Sequence, residues 1–493
     1  SQSVFTGVIT EIQINIEDMV IFDITAYSDA IKLTEGPRNI LFETKKTDTD
    51  IITKILEDHK IKIENKAKSQ ITHQQYFAWQ QTPWQIMMAR VLTNGFLFVP
   101  QVGKNQIIDP RKHKPANTHA ISIEKKQGLQ GITIREDARS VMKKITATGW
   151  DIKAQQRHEP ITASFKSDLT QTTTDTLQHL PYELQIAAPI SPEELKIHVE
   201  AEQIYRTLDS YQGTLTFDGE TLTRQHKQTI KLGDVIKLQE LGKRYSGNYL
   251  ISGIQHQCSP DNWQIILTLG VPLNHTLFSD WMQPPPVPPL IGKIAPYQAD
   301  PEKLERIPVW LPSVTADDKH IVWARLLSPF ASQGEGLHLP PSPDDEVIVG
   351  FIGGDSRHPV ILGATHNPKH KPPIAYDKDN AKRGLFFKDP EDKEGTEGPL
   401  AGLHFDHKQR TLRLQGSKHT GIDCHADKHL ELHYTEDSKT SYDKGKPLSH
   451  IRLTKDQINL TADKKQTQTI AKDVKIKVDG TVTVETPKYM EVK

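Results

Sequence analysis

The sequence predicts a mainly β, multidomain protein with a small helical insert and a carboxy-terminal stretch that lacks a core of its own. Three observations carry this. Apolar residues alternate with period two over most of the chain, and a helical period appears only near 51–56, 82–95 and 191–209. Only 36 % of the 493 residues are hydrophobic and the mean hydropathy is −0.54. That is thin for one large globule and suits small domains or elongated pieces sharing a core with partner chains. Finally, the run Pro284-Pro285-Pro286-Val287-Pro288-Pro289 divides the chain. Such a run is extended and is expected to act as a semi-rigid spacer.

In chain order, Val8, Ile12, Ile14 and Ile16 share one parity, and Val20, Phe22, Ile24 and Ala26 repeat the theme. Ile51, Ile52, Ile55 and Leu56 mark a short helix. Thr82-Pro83 opens a second, which stops at Asn94-Gly95 and buries Trp84, Met87, Met88 and Val91. Strands return after about 118. Ser191-Pro192-Glu193-Glu194 starts a third helix with capping-box spacing, and Ile197, Ala201, Ile204, Tyr205 and Leu208 form its buried stripe. Strands run on to about 273. Beyond the prolines lies a compact all-β stretch at 290–368, then loop-like sequence to 400. From 401 to 493 short alternating strands follow, among them Leu412 with Leu414, Ile458 with Leu460, and Val474-Ile476-Val478 leading through Asp479-Gly480 to Val482 and Val484. One apolar face of narrow strands makes no core, so winding with copies of the same chain is expected; a solvated polar tail is the alternative.

Charge and motifs narrow the function. Sixty-one Lys plus Arg against 62 Asp plus Glu, with pI ≈ 7.1, argue against a general nucleic-acid or anionic-membrane binder. No apolar run approaches membrane-spanning length. Ser1-Gln2-Ser3-Val4-Phe5 lacks the features of a signal peptide and runs straight into a strand pattern, which is expected of a trimmed amino terminus. Cys258 and Cys424 cannot form a disulfide framework, so a reducing site of synthesis is the default. P-loop, GxGxxG, His-Glu-x-x-His and CxxC motifs are all missing. Gly354-Asp355-Ser356 echoes a serine-protease nucleophile, yet Arg357-His358-Pro359 follows where glycines would admit an oxyanion; a hairpin turn explains it. His425, His429 and His433 share parity if they lie on one strand, about 13 Å between successive members. That is too far for one ion within one chain, although a single His repeated on a three-fold axis could hold one; exposed polar positions are the plainer reading.

Asp345-Glu346-Val347-Ile348-Val349-Gly350-Phe351, then Gly354-Asp355-Ser356-Arg357-His358-Pro359-Val360-Ile361-Leu362-Gly363, resembles the OB-domain signature of the Vgr (VgrG-like) spike family, which includes type VI secretion spikes and phage tail hub-spike proteins. Asp344 stands for the usual Gly and Ser356 for the usual Pro. Val322-Trp323-Ala324-Arg325 is similar to the strand that precedes this signature. Trp84, Arg90 and Gly95 resemble a hub segment, and Phe5-Thr6-Gly7-Val8 resembles a hub strand usually preceded by about a hundred residues.

The resemblance implies phage-hub-like tube barrels with a helical insert, an OB-fold barrel and a C-terminal triple-stranded β-helix in a trimer. It divides the chain into a truncated first hub barrel (1–46), a mixed insert (47–117), a second hub barrel (118–280), a polyproline linker (281–289), the OB domain (290–368), a linker (369–400) and a needle (401–493). It makes structural motif positions of Trp323, Arg325, Asp345, Glu346, Val347, Gly350, Phe351, Asp355, Arg357, Pro359 and Gly363, with Trp84, Arg90 and Gly95 in the hub. The implied function is a homotrimeric spike of a contractile injection machine, capping a hexameric tube and carrying a PAAR-type tip and secreted effectors. It would contact baseplate proteins and, transiently, a target membrane, after assembly in the bacterial cytoplasm and ejection. No enzymatic activity, cofactor or nucleic-acid partner is expected. The alternative is a phage-type hub-spike with associated cell-wall hydrolase activity.

Overall fold

The computed structural model describes residues 3–16, 20–42, 44–65, 67–113, 118–124, 128–140, 142, 144–162, 169, 181–226, 230–271, 285–387, 401–416, 420–426, 428–434 and 449–462. The chain forms two compact units, Ser1–Thr365 and His366–Lys493. Strand dominates both. The valine-rich repeat expected at 474–484 lies outside the described residues.

In the first unit, β1 (Val8–Ile16) and β2 (Val20–Tyr27) form an antiparallel hairpin that pairs with no other described strand. Over 1–46, where a truncated first hub barrel is expected, the strand Arg38–Phe42 pairs with Tyr76–Gln81. The hairpin stands apart, while Leu33 and Phe42 join a core with the following segment. That core is built by α1 (Asp48–Asp58) and α2 (Pro83–Thr93), whose Ile51, Ile55, Leu56, Ile86, Met87 and Val91 are fully buried. Both helices start at capping boxes, Thr47 with Asp50 and Thr82 with Gln85, which satisfy two of the orphan N–H groups at each end. Trp84 and Met88 pack on the core while partly buried.

The expected stop of α2 is a full Schellman turn: Phe96 N–H bonds Val91 O at 3.0 Å and Gly95 N–H bonds Leu92 O at 2.9 Å. Gly95 has φ +71°, and a Cβ there would stand 2.8 Å from Ile204 Cδ1 and 3.1 Å from Ala201 Cα. Gly95→Ala combines left-handed backbone with a steric clash and is expected to cost about 2 kcal/mol. Denaturant unfolding would read it as a lower midpoint at unchanged slope.

Next comes a six-stranded sheet, in the order Thr118–Ser122, Val235–Gln239, Gly247–Ser259, Asn262–Leu269, Tyr211–Asp218 and Leu129–Glu136. Helix α3 (Pro192–Ser210) buries all five residues of its predicted stripe. Its Tyr205 hydroxyl donates to Phe96 O at 2.6 Å, tying α3 to the end of α2.

The stretch expected as an OB domain closes into a five-stranded barrel, Leu290–Ile294, Ile307–Trp310, Ile321–Leu326, Pro359–Ala364 and Glu346–Phe351 in spatial order. Val309, Val322, Ala324, Val347, Val349 and Ile361 fill it. The polyproline run is less free than a spacer. Val287 is buried with its N–H on Gly354 O at 2.9 Å, and a Cβ on Gly354 would meet Pro286 at 2.5 Å.

The second unit holds a seven-stranded antiparallel meander, from Lys382–Phe387 through Ile458–Ala462. It starts inside the stretch expected as linker, because Leu385 and Phe387 pair with Leu403 and Ala401 and extend the same alternation. Within one chain the described residues of the tail form an up-and-down sheet.

Candidate functional site

Among the described residues the densest cluster of buried charge lies where the helical insert meets the barrel. The barrel does not close its own core. Phe77, from the strand Tyr76–Gln81, enters it and meets Phe351 edge-on, ring centroids 5.6 Å apart. Beside it, the buried Gln75 side chain acts as a one-residue strand edge. Its Oε1 accepts from Trp323 N at 2.8 Å, and its Nε2 donates to Trp323 O at 3.1 Å and Arg357 O at 2.9 Å. Asn39 Nδ2 donates to Ser313 O at 2.6 Å.

Arg357 is the centre of the ionic part. Its guanidinium donates to both oxygens of Asp355 at 2.7–3.0 Å and to Glu194 Oε1, on the first turn of α3, at 2.7 Å. Glu194 was expected to close a capping box. Ser191 does accept from Glu194 N at 3.2 Å, but the Glu194 carboxylate is drawn away to the guanidinium, a stronger, charge-assisted partner. His73 continues the chain. Arg357 can only donate, so His73 Nδ1 accepts from it at 3.4 Å, and Nε2–H points to Asp48 Oδ1 at 2.6 Å. Asn94 Nδ2 binds the other Asp48 oxygen at 2.7 Å, and Arg90 lies 3.5 Å from Asp48 with its guanidinium 5.2 Å above the Tyr76 ring.

Burial by itself would raise the pKa of Glu194, Asp355 and Asp48, yet all three are held below the usual carboxylate range. Desolvation is the largest single influence on each, and it is outweighed only by charge and hydrogen bonds acting together: Arg357 with His198 for Glu194, Arg357 with His358 for Asp355, and Arg90, His73 and Asn94 for Asp48. Burial also lowers the pKa of His358. The folded pKa values of the carboxylates lie below their unfolded ones, so their stabilisation is complete above about pH 4–5 and is lost as pH falls through the lowered values. Thermal unfolding from pH 7 to 2 is expected to show a midpoint dropping steeply below about pH 4. In Arg357→Met burial is left unopposed, which puts the folded pKa values of Glu194 and Asp355 above their unfolded ones. The variant's deficit relative to the parent should therefore be largest near neutral pH and shrink as pH falls and the two carboxyls take up protons.

A cavity of about 350 Å³ opens beside this junction, lined by His73, Ser191, Glu194, Trp323, Arg357 and Pro359 among others. The serine-protease echo carries no such chemistry. Asp355 is occupied by Arg357, and buried Ser356 accepts from Phe77 N at 3.4 Å.

The remaining motif positions are spread through the fold. Arg325 is exposed at the cavity rim. Asp345 accepts from Ser342 N at 2.8 Å, and Glu346 from Thr365 Oγ1 at 2.5 Å. Val347 is core, and a Cβ on Gly350 would touch Leu362 at 3.1 Å. Gly363 faces open space, and Trp84 meets Phe98 edge-on at 5.6 Å. Sequence reasoning missed Gln75, His73, Asp48 and the ionic role of Glu194. A polar residue beside buried apolar neighbours was the only local signal.

The sheet of the second unit has two unlike faces. One carries a cross-strand row, Arg413, Asp423, Glu431 and Arg452, in register on four strands. Arg413 Nε reaches Asp423 at 2.7 Å and Arg452 Nε reaches Glu431 at 3.3 Å, leaving Asp423 and Glu431 only 1 % and 4 % exposed. The histidines lie on this face but not on one strand. A turn after His425 brings it opposite His429, ring centroids 4.5 Å apart, while His433 faces Gly421. No three His, Cys, Asp or Glu side chains converge as metal ligands among the described residues. The other face is apolar and bare. Phe405, Leu412, Leu414, Leu430, Leu432 and Leu460 are 37–54 % exposed. The β1–β2 hairpin repeats this polarity, with Ile12, Ile14, Ile16, Val20, Phe22 and Ile24 on one exposed face.

Residues 1–260 match the family of the Alg8 N-terminal domain, and residues 290–366 that of the type VI secretion system/phage-baseplate injector OB domain. The second match falls on the stretch whose motif carried the spike resemblance. Among solved structures, the chain is similar to a type VI secretion component from E. coli described as similar to the T4 bacteriophage tail proteins gp27 and gp5. The identity is 13 %, over 73 % of this chain and 83 % of that one, with TM-score 0.46. It is also similar to a 43 kDa tail protein of prophage MuSo2 from Shewanella oneidensis, at 14 % identity over 55 % of this chain and 76 % of that one (TM-score 0.40). A tail protein from Neisseria meningitidis MC58 is similar at 14 % identity over 55 % and 80 % (TM-score 0.41). No curated protein matches the sequence.

Proposed function

The chain belongs to the family of the Alg8 N-terminal domain, which its residues 1–260 match, and we propose, on other grounds, that it is a structural, homotrimeric hub and spike of a contractile injection machine. The carrying observation is the second unit's sheet, whose polar face pairs its own charges while its apolar face is left to water. A monomer gains nothing from exposing that face, whereas three copies facing one another bury it and leave the ion-paired face outward. The histidines then face solvent, and no axial ion is needed. The match of residues 290–366 to an injector OB domain supports the placement in such a machine.

In this reading the first unit caps a hexameric inner tube and docks on baseplate proteins. The second is the needle, tipped by a PAAR-type protein, that crosses the target membrane and brings effectors with it. Among the described residues no helix is long and apolar enough to cross a membrane. The work asked of the molecule is mechanical, and the Arg357 junction supports that by fixing barrel to hub through buried pairs with no obvious slack. Light scattering tests the trimer. A mass near 167 kDa, three times 55.7 kDa, is expected, and a monodisperse monomer refutes the reading. Release of fragments from purified cell wall, mapped to this chain, would instead favour the hydrolase-bearing hub.

A further inference from the structure

The barrel carries an apolar patch that its own fold does not use. Between the strands Ile321–Leu326 and Glu346–Phe351 the chain leaves the barrel as a finger, with Ala331–Ser332 paired to Glu335–Gly336. The finger is built, not loose. Ser328 Oγ donates to Phe330 O and lies 2.9 Å from Leu337 O as well, while Leu337 N–H bonds Phe330 O at 2.9 Å. A Cβ on Gly336 would stand 2.7 Å from Phe330 O, so the close approach admits only glycine. Yet Phe330 and Leu337, which this scaffold holds in place, are 56 % and 42 % exposed. Leu327 at its base, 56 % exposed, bonds through its N–H to Ile361 O at 3.0 Å. That joins the finger to the outer wall of the barrel, where Leu362 and Ile291 are 48 % and 58 % exposed.

We infer that this finger packs on the outer wall of the neighbouring copy's barrel, around Leu362 and Ile291, in a head-to-tail ring. The inference rests on the trimer proposed above. A three-fold ring uses two different, complementary patches on each chain, and one barrel supplies both, a projecting finger and a flat wall. Area favours the same occupant. Strands of five or six residues, seven abreast, give the second unit's sheet a face on the order of 500 Å² at ordinary strand spacing. A stable partner buries roughly 800 Å² per chain, more than the described part of the sheet face offers by itself. The barrel patch, five half-exposed apolar side chains, supplies area of the kind and size that is missing. It need not bind strongly alone. Residues 366–381 lead from the barrel to the sheet and span at most ~55 Å, so sheets gathered in threes hold three barrels at high effective concentration.

The test uses the full chain with Cys258→Ser and Cys424→Ser, adding Leu337→Cys and Leu362→Cys, under mild oxidation. Dimers and trimers resistant to denaturing electrophoresis are expected, and reduction should dissolve them. Each single cysteine alone should give at most a disulfide dimer. Loss of both thiols with the chain remaining a monomer on the gel would mean that the finger folds onto its own barrel, and overturns the inference. So would free thiols in a chain that light scattering shows to be trimeric; that result leaves the trimer itself standing. A chain that is monomeric before oxidation overturns both. As a second measurement, Phe330→Asp with Leu337→Asp changes only exposed positions and should raise the concentration at which the trimer half-dissociates by at least tenfold. An unchanged midpoint also counts against the finger.

Discussion

Arg357→Met should destabilise the first unit by about 3–5 kcal/mol, seen as a lower unfolding midpoint of the full chain, because it strands two buried carboxylates without their cation. Asp355 and Glu194 both bond this guanidinium, whose side chain is only 16 % exposed. The loss should exceed that of any rim pair on this unit, such as Lys54 with Asp58, where both side chains are more than half exposed. Arg357→Lys keeps the charge but not the planar fork that holds Asp355 by two bonds, so an intermediate loss is expected. Adding Asp355→Asn and Glu194→Gln to Arg357→Met should recover much of the cost, since neutral amides tolerate burial better than unpaired carboxylates. If the triple variant is no more stable than the single one, the account of the junction as an ionic lock is wrong.

The second large effect concerns assembly. Leu412→Lys with Leu432→Lys places two charges on the bare face of the second unit's sheet, and should shift the solution mass from about 167 kDa to 55.7 kDa. Both positions are already partly exposed in the single chain, 37 % and 41 %, so its fold should survive. Thr461→Lys lies on the opposite face, in register with His450, and should leave the mass unchanged. A trimer that tolerates the leucine pair but not Thr461→Lys would mean that the chains meet through the ion-paired face instead.

Most of the local structure was legible because it depends on neighbours in sequence. Thr82, Pro83 and Gly95 bounded α2 where the chain bends, since caps and left-handed backbone are decided within a few residues. The alternation in 401–462 marks one apolar face from neighbours in sequence alone. Other expectations failed for a physical reason. Leu385 and Phe387 continue the tail's alternation, but a strand declares itself only when a partner such as Ala401–Asp406 pairs with it. The capping-box spacing of Ser191 and Glu194 was sound as local chemistry, and a cation 163 residues away outbid it. The histidine spacing assumed one strand, and a turn after His425 put two of the three face to face.

By itself, then, the sequence determined what short range can decide: helix ends, strand faces, the barrel's motif, and a tail too thin to enclose a core. Tertiary structure alone decided which carboxylates meet Arg357, that Gln75 completes the edge at Trp323, and that Phe77 fills a barrel it does not belong to. The reason is the range of the interactions. Propensity and periodicity are written in adjacent residues, whereas a buried charge or amide is satisfied by whatever the fold delivers to it.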